Sequence, residues 1–451
     1  MRVTEILKEF APPQQGSELA DLIYLLQNAP VSHHLLVKGL EVIKHDKMLQ
    51  QKRNLQTPQV PAQQPSKPAV APQPTAQPAQ QVVAPHPEVP EEEPELLERV
   101  ATSAKPKANH ALISQIEKEL PGCSDQTLQR LLYNIKLDSY HLMADSIVSK
   151  KISVKVKAIK SAIKLALTDL ADVVSTETMV NFLKECEKGG VIDTRAMVKE
   201  TSDVQQDIPL TNDAYRPIVL RLMQTGLGSA AASGKGEFGL AFAGMGASKG
   251  EHDITINGVD IEVKASHGGT DFFFKGQTGF GVEGAYGGGP KAGLSKLVDA
   301  LNSVGGKFNK INETGKGGIS QINNKTLNSI NPYFKLLGHS NVKKLLCSVV
   351  QDNHPDHSIK AFFPAINSSV RKDGTVDYTA LSTATSAVSF FYYQKHENHT
   401  GILMLNITNG TYMYQNNAKE FMRSVITGAV STTSAIDFRT STKGSLTFRL
   451  N

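Results

Sequence analysis

Residues Gly250–Ser266 read GEHDITINGVDIEVKAS, and the fold of the C-terminal half turns on them. Asn257-Gly258 separates two runs of alternating apolar and polar residues. That pair is among the strongest short hairpin signals, because a type I′ turn needs positive φ at both central positions. In the second run, period two sends Val259, Ile261 and Val263 to one face and Asp260, Glu262 and Lys264 to the other. The first run buries Ile254 and Ile256 and leaves Asp253 at its mouth, so adjacent strands bring the Asp253 and Glu262 carboxylates close together. Two such carboxylates raise each other's pKa unless a cation lies between them. Hard oxygen ligands suit Mg²⁺ or Mn²⁺, which lowers the pKa of a bound water and stabilises a phosphate under attack. Lys264, on the same face, is placed to hold that water or to offset phosphate charge. The competing expectation is an exposed hairpin face of mixed charge. Asp260, one step nearer the turn, is a weaker candidate, and Glu251 precedes the strand and reads as solvated.

An acidic residue, a strand and turn, then Glu-x-Lys on the next strand resembles the core of the PD-(D/E)XK nuclease superfamily, the restriction-endonuclease-like fold. Here those residues are His252-Asp253 and Glu262-Val263-Lys264, with His252 where the motif has its nominal proline. The family often carries a further Glu on the preceding helix, and GKGEFGLAFAG supplies Glu237. The resemblance covers residues 227–276. It implies that Asp253 and Glu262 bind metal with help from the Val263 carbonyl. It also implies that Lys264 positions the water, and that Glu237 completes the site or binds a second ion. The expected activity is a Mg²⁺- (or Mn²⁺-) dependent DNA endonuclease that hydrolyses phosphodiesters without a covalent intermediate.

The chain has 451 residues, which implies more than one folding unit, and a net charge of +5, compatible with a polyanionic partner. Its three cysteines, Cys123, Cys186 and Cys347, form no CxxC pair, which argues against a disulfide scaffold or structural zinc and fits a reducing compartment. No signal-peptide core and no membrane-length apolar run is evident, so a cytoplasmic protein without a membrane partner is expected. Sequons such as Asn398-His-Thr then read as chance.

Composition divides the chain into four parts. Pro58–Pro94 holds 11 of the 22 prolines among Gln, Ala and Val, and residues 53–108 read as a disordered linker. Residues 1–52 form a small helical module, with SELADLIYLLQN and a second helix around Leu35–Leu49. Two helices of this size are marginal alone, so docking on a protein partner or self-association is expected. Residues 109–207 read as a helical domain. In it Ile152, Val156, Ile159, Ile163 and Leu167 share one face, and Lys150, Lys151, Lys155, Lys157, Lys160 and Lys164 occupy the others. Those lysines suit either a solvated face or a phosphate backbone. Residues 208–451 mix strands and helices, giving an α/β (α+β) nuclease-like domain with a central mixed sheet. Strands are expected at HDITI, DIEVKAS, DFFF, LLCSVV, IKAFFP, AVSFFYYQ, GILMLNIT, TYMYQ and SLTFRL.

A glycine-rich stretch after Ser266 carries lysines and aromatics of the kind a loop over DNA needs. From it and its surroundings, Lys235, His267, Lys275 and Lys291 are the candidate nucleic-acid contacts. There is no GxxxxGK[ST] and no GxSxG, so a P-loop ATPase and a serine hydrolase are disfavoured. DNHPDH (352–357) and HENH (396–399) look like ligand sets but lack a helical zinc motif. The rival to the nuclease is a nucleic-acid-binding or virion assembly protein that keeps the fold without cleaving. A helical tag on a Pro/Gln linker fits a phage or mobile-element origin by analogy.

Overall fold

The structure, a computed structural model, describes residues 18–56, 107–152, 156–225, 235–249, 253–266, 277–279, 293–310, 317–354, 356–397, 399–432, 434–438 and 447–450. The Pro/Gln-rich segment, His252, His267, Lys275, Lys291 and the DFFF run lie outside them. The described residues fall into two compact units, one within 16–135 and one within 136–451. That division cuts the expected helical domain at residue 135 and joins its later helices to the C-terminal region.

In the first unit, α1 (Glu18–Asn28) and α2 (His33–Gln56) precede α3 (Lys107–Glu119) and the start of α4 (Asp125–Lys151). Leu22, Leu25 and Leu26 of α1 are buried, as are Leu36 and Ile43 of α2, Ile116 of α3 and Ile135 of α4. The Asp46 carboxylate accepts from the Ser124 N–H at 2.8 Å and from its hydroxyl at 3.1 Å, pinning α2 to the start of α4. Lys47 pairs with Glu119 at 2.7 Å. Gly39 of α2 lies against Leu131 of α4, so the chain's own later helices pack on this module.

The second unit continues through α4 into α5 (Val156–Leu170), α6 (Thr176–Lys188) and α7 (Thr194–Lys199). Ile152, Ile159, Ile163 and Leu167 are buried as their spacing predicts. Three of the six lysines have acceptors within the chain, and Lys155 lies outside the described residues. Lys150 pairs with Glu187 and Lys164 with Asp145, both at 3.0 Å. The Lys151 ammonium donates to the carbonyls of Gly189 and Phe242 at 2.8 and 3.2 Å.

Then come β1 (Gln206–Asp207), α8 (Arg216–Gln224), α9 (Glu237–Ala243), β2 (Ala247–Ser248), β3 (Ile254–Ile256) and β4 (Val259–Ser266). Next are β5 (Gln277–Gly279), α10 (Leu294–Ser303), β6 (Gln321–Ile322), α11 (Asn324–Leu337), α12 (His339–Asn353), α13 (Phe363–Ser368) and α14 (Tyr378–Glu397). The chain ends with β7 (Gly401–Asn406), β8 (Thr411–Gln415), α15 (Ala418–Ile426), β9 (Val430–Thr432), β10 (Ile436–Asp437) and β11 (Thr447–Leu450). The fold is mixed α/β around a mixed six-stranded sheet of order β1-β8-β7-β4-β3-β2. β4 is central: it pairs antiparallel with β3 and parallel with β7, Glu262 lying beside Ile402 and Lys264 beside Met404.

Both faces of this sheet are covered, as a layered α/β unit requires. Ile402, Met404 and Met413 join one buried cluster with residues of α10, α11, α12, α14 and α15. On the opposite face the start of α9 comes so close that a Cβ at Gly236 would lie 2.7 Å from Leu405 and 3.3 Å from Val263. Gly236 has φ 90°, which an L side chain rarely adopts, so glycine is required just before Glu237.

Three expected strands are helices. LLCSVV lies in α12, IKAFFP in a 3₁₀ turn (His357–Phe362) and α13, and AVSFFYYQ in α14. The run Leu381–Phe390 of α14 is buried at every position, so no polar face marks its helical period. Its hydroxyls are absorbed internally: Thr385 donates to the Leu381 carbonyl at 2.8 Å and Ser386 to that of Ser382 at 2.6 Å.

Between α12 and α14, His354 is buried against Tyr392, ring centroids 5.2 Å apart. Its Nδ1–H faces the Val350 carbonyl at 3.2 Å, so Nε2 accepts from the Ser389 hydroxyl, also at 3.2 Å. Burial pushes its pKa from 6.5 down to about 4. The unfolded chain thus takes up a proton that the folded one refuses, and stability present above pH 6.5 is lost as pH falls toward 4. The loss is about 3 kcal/mol. Urea unfolding at neutral pH and near pH 4.5 checks this: the acid-induced loss should shrink markedly in His354→Gln.

Candidate active site

The hairpin forms as the sequence predicts, with Asn257 at φ 51° and Gly258 at φ 82°. Ile254 opposes Ile261 across it, and one further step of that register sets Asp253 opposite Glu262. Both carboxylates therefore share a sheet face at the place where β3 begins. Asp253 Oδ2 accepts from the Val263 N–H at 3.1 Å. Because the N–H and C=O of a strand residue point to the same side, the Val263 carbonyl also faces Asp253, beyond the last β3 pair.

Glu262 is not on a wet face; its side chain is 5% exposed. Two bases meet it. The Lys264 ammonium, 22% exposed, contacts Oε1, and His399 Nε2 lies 2.8 Å from Oε2. His399 stands in the turn between α14 and β7, at the end of the HENH set. Glu237, the first residue of α9, is buried as well and pairs with Lys249 at 2.6 Å. Lys249 also donates to the Asp253 main-chain carbonyl at 2.9 Å, tying α9 to the head of the hairpin.

The structure thus gathers Glu237, Asp253, Glu262, Lys264 and the Val263 peptide, and adds Lys249 and His399. Desolvation first, then the negative charges of Glu262 and Glu237, push the Asp253 carboxyl from 3.8 up to about 7, with the charge of Lys264 opposing them. Burial favours the neutral carboxyl, and the part of the shift due to the neighbouring carboxylates is one that a divalent cation relieves as well as a proton does. Among the described residues, no three His, Cys, Asp or Glu side chains already converge as a ready-made metal group. The donor chemistry of Asp253 and Glu262 fits a hard cation, and Lys264 and His399 supply the basic groups against Glu262.

The remaining candidates separate from this cluster. Asp260 accepts from Thr255 at 2.8 Å, an ordinary cross-strand pair. Lys235 is exposed two residues before Glu237. DNHPDH does not assemble: Asp352 pairs with Lys296 and Asp356 with Lys395, both at 2.7 Å, and His354 is in the core. No local signal marks Lys249 as a site residue, and His399 shows in the sequence only as the last residue of the HENH set, with nothing to link it to the hairpin.

No protein-family model, no curated protein and no solved structure matches the chain. The resemblance to the nuclease superfamily therefore rests on the site's own residues. Among the described residues, no helix is long and apolar enough to cross a membrane.

Proposed function

We propose that the chain is a divalent-metal-dependent DNA endonuclease of the restriction-endonuclease-like kind. The observation that carries this is the joint placement of Asp253 opposite Glu262 on one sheet face, with Lys264 beside them and Glu237 at the start of the preceding helix. Asp253, Glu262 and the Val263 carbonyl would hold Mg²⁺ or Mn²⁺, which supplies Lewis acidity toward a phosphodiester and a more acidic bound water. Lys264, the most exposed member of the Glu262 group, presents its ammonium where an incoming phosphate meets the sheet. It offsets phosphate charge and holds the attacking water in line. The tight packing around Glu262 keeps its carboxylate in one orientation, so little reorganisation accompanies the reaction. Lys235, exposed two residues before Glu237, would meet the DNA backbone.

Plasmid, linear and single-stranded DNA incubated with the purified protein and Mg²⁺ or Mn²⁺ test this. Wild type should cleave at least one of them, and Lys264→Ala should cleave it at least about a hundredfold more slowly. Equal inertness of both on every substrate overturns the proposal.

A second reading has its own support. Two of the three acids already face bases, Glu237 meeting Lys249 and Glu262 meeting Lys264 and His399, and Asp253 accepts from a main-chain N–H. A cluster balanced in this way also serves as a structural network in a nucleic-acid-binding or assembly protein that keeps the fold without cleavage. Calorimetry separates the two: tight, salt-sensitive DNA binding without any Mg²⁺ or Mn²⁺ binding favours the second.

A further inference from the structure

We infer that the site takes one divalent cation rather than two, because the Lys249 ammonium occupies the position of the second. This rests on the metal-dependent reading above and concerns how the site is filled. A second ion in a carboxylate cluster needs a carboxylate of its own, and Glu237 is the acid available for it. Glu237 is committed instead. Its Oε2 lies 2.6 Å from Lys249 Nζ, with the two side chains 4% and 5% exposed. The same ammonium donates to the Asp253 carbonyl at 2.9 Å, so it bridges the helix that carries Glu237 and the residue that opens the metal pair.

The geometry around the pair is closed. Gly236 anchors the start of α9 through its N–H to the Met223 carbonyl at 2.7 Å. Lys249 ends the short β2 region, where its own N–H meets the Lys151 carbonyl at 3.3 Å. Neither partner can swing away without disturbing the elements on both sides. Separating them would leave an uncompensated charge in a dry site, which is far costlier than keeping them together. The fixed ammonium thus supplies beside Asp253 the positive charge that a second ion would bring, whereas the ammonium on Glu262 belongs to the partly exposed Lys264 (22% against 5% for Lys249), which can turn toward solvent and yield its place to a single exchangeable cation.

The test is the stoichiometry of Mn²⁺ binding to the full chain, read by titration calorimetry and by the electron paramagnetic resonance signal of free Mn²⁺, with no DNA present. Wild type should bind one Mn²⁺ per chain. Lys249→Gln releases the Glu237 carboxylate and should bind a second. The double variant Glu237→Gln/Lys249→Gln removes both charges together and should return to one, its affinity changed by less than about tenfold. Two Mn²⁺ ions on wild type, or a double variant whose affinity falls by more than that, overturns the inference while leaving a metal site in place. Absence of any Mn²⁺ on wild type overturns the metal-dependent reading itself. If Lys249→Gln does not fold, the wild-type stoichiometry and the charge-balanced double variant still decide the matter.

Discussion

Glu262→Gln should lower Mg²⁺-dependent DNA cleavage by about a thousandfold, equivalent to about 4 kcal/mol of transition-state stabilisation. The substitution keeps the size and planarity of the side chain and removes only its charge. That charge has three uses here: it contacts Lys264, meets His399 at 2.8 Å and raises the proton affinity of Asp253. Without it the proposed cation site would lose one of its two anionic ligands, and Lys264 would lose the carboxylate it contacts. Single-turnover cleavage is the measurement, because it excludes product release from the rate. A neutral amide can still hydrogen-bond to both bases, so the melting temperature serves as control for folding. Wild-type cleavage by a folded Glu262→Gln protein would remove Glu262 from the active site.

Phe390→Ala should destabilise the C-terminal unit by about 3–5 kcal/mol. Phe390 of α14 is fully buried and stacks on Phe421 of α15, ring centroids 4.8 Å apart and planes 20° from parallel. Both rings belong to the cluster that packs on Ile402 and Met404, the β7 neighbours of Glu262 and Lys264. A cavity there removes apolar contacts from the layer that supports the site's own face of the sheet. Since whole domains are stable by only about 5–15 kcal/mol, the loss should be plain in the urea midpoint. A change below about 1 kcal/mol would mean that α15 moves in to refill the space.

The parts of this fold legible in the sequence are those with a local cause. Asn257-Gly258 dictates its turn through backbone sterics, and alternation along β4 sorts Ile261 from Glu262 without knowledge of anything else. Helices α1 and α4 show their stripes because one of their sides meets water. Helix α14 does not, since the chain around it buries every side of Leu381–Phe390, and AVSFFYYQ (387–394), which begins inside that stretch, then looks like a strand for its Val, Phe and Tyr. The site divides in the same way. Asp253, Glu262 and Lys264 share one hairpin and announce themselves, while His399 arrives through the parallel pairing of β4 with β7. Lys249, close in sequence, carries no pattern that distinguishes it from other surface lysines; only the fold shows its burial.

More than a hundred residues separate β4 from the strand that lies parallel beside it. Parallel neighbours so remote must close a long loop before their contact returns any energy. On the ribosome the hairpin with Asp253, Glu262 and Lys264 emerges well before His399 and the whole of β7. A nascent chain therefore carries the acids and the lysine of the site as a bare, solvated hairpin. The sheet that dries and aligns them is completed only once β7 has been made, so the buried pairing of Glu262 with His399 forms late relative to the hairpin itself.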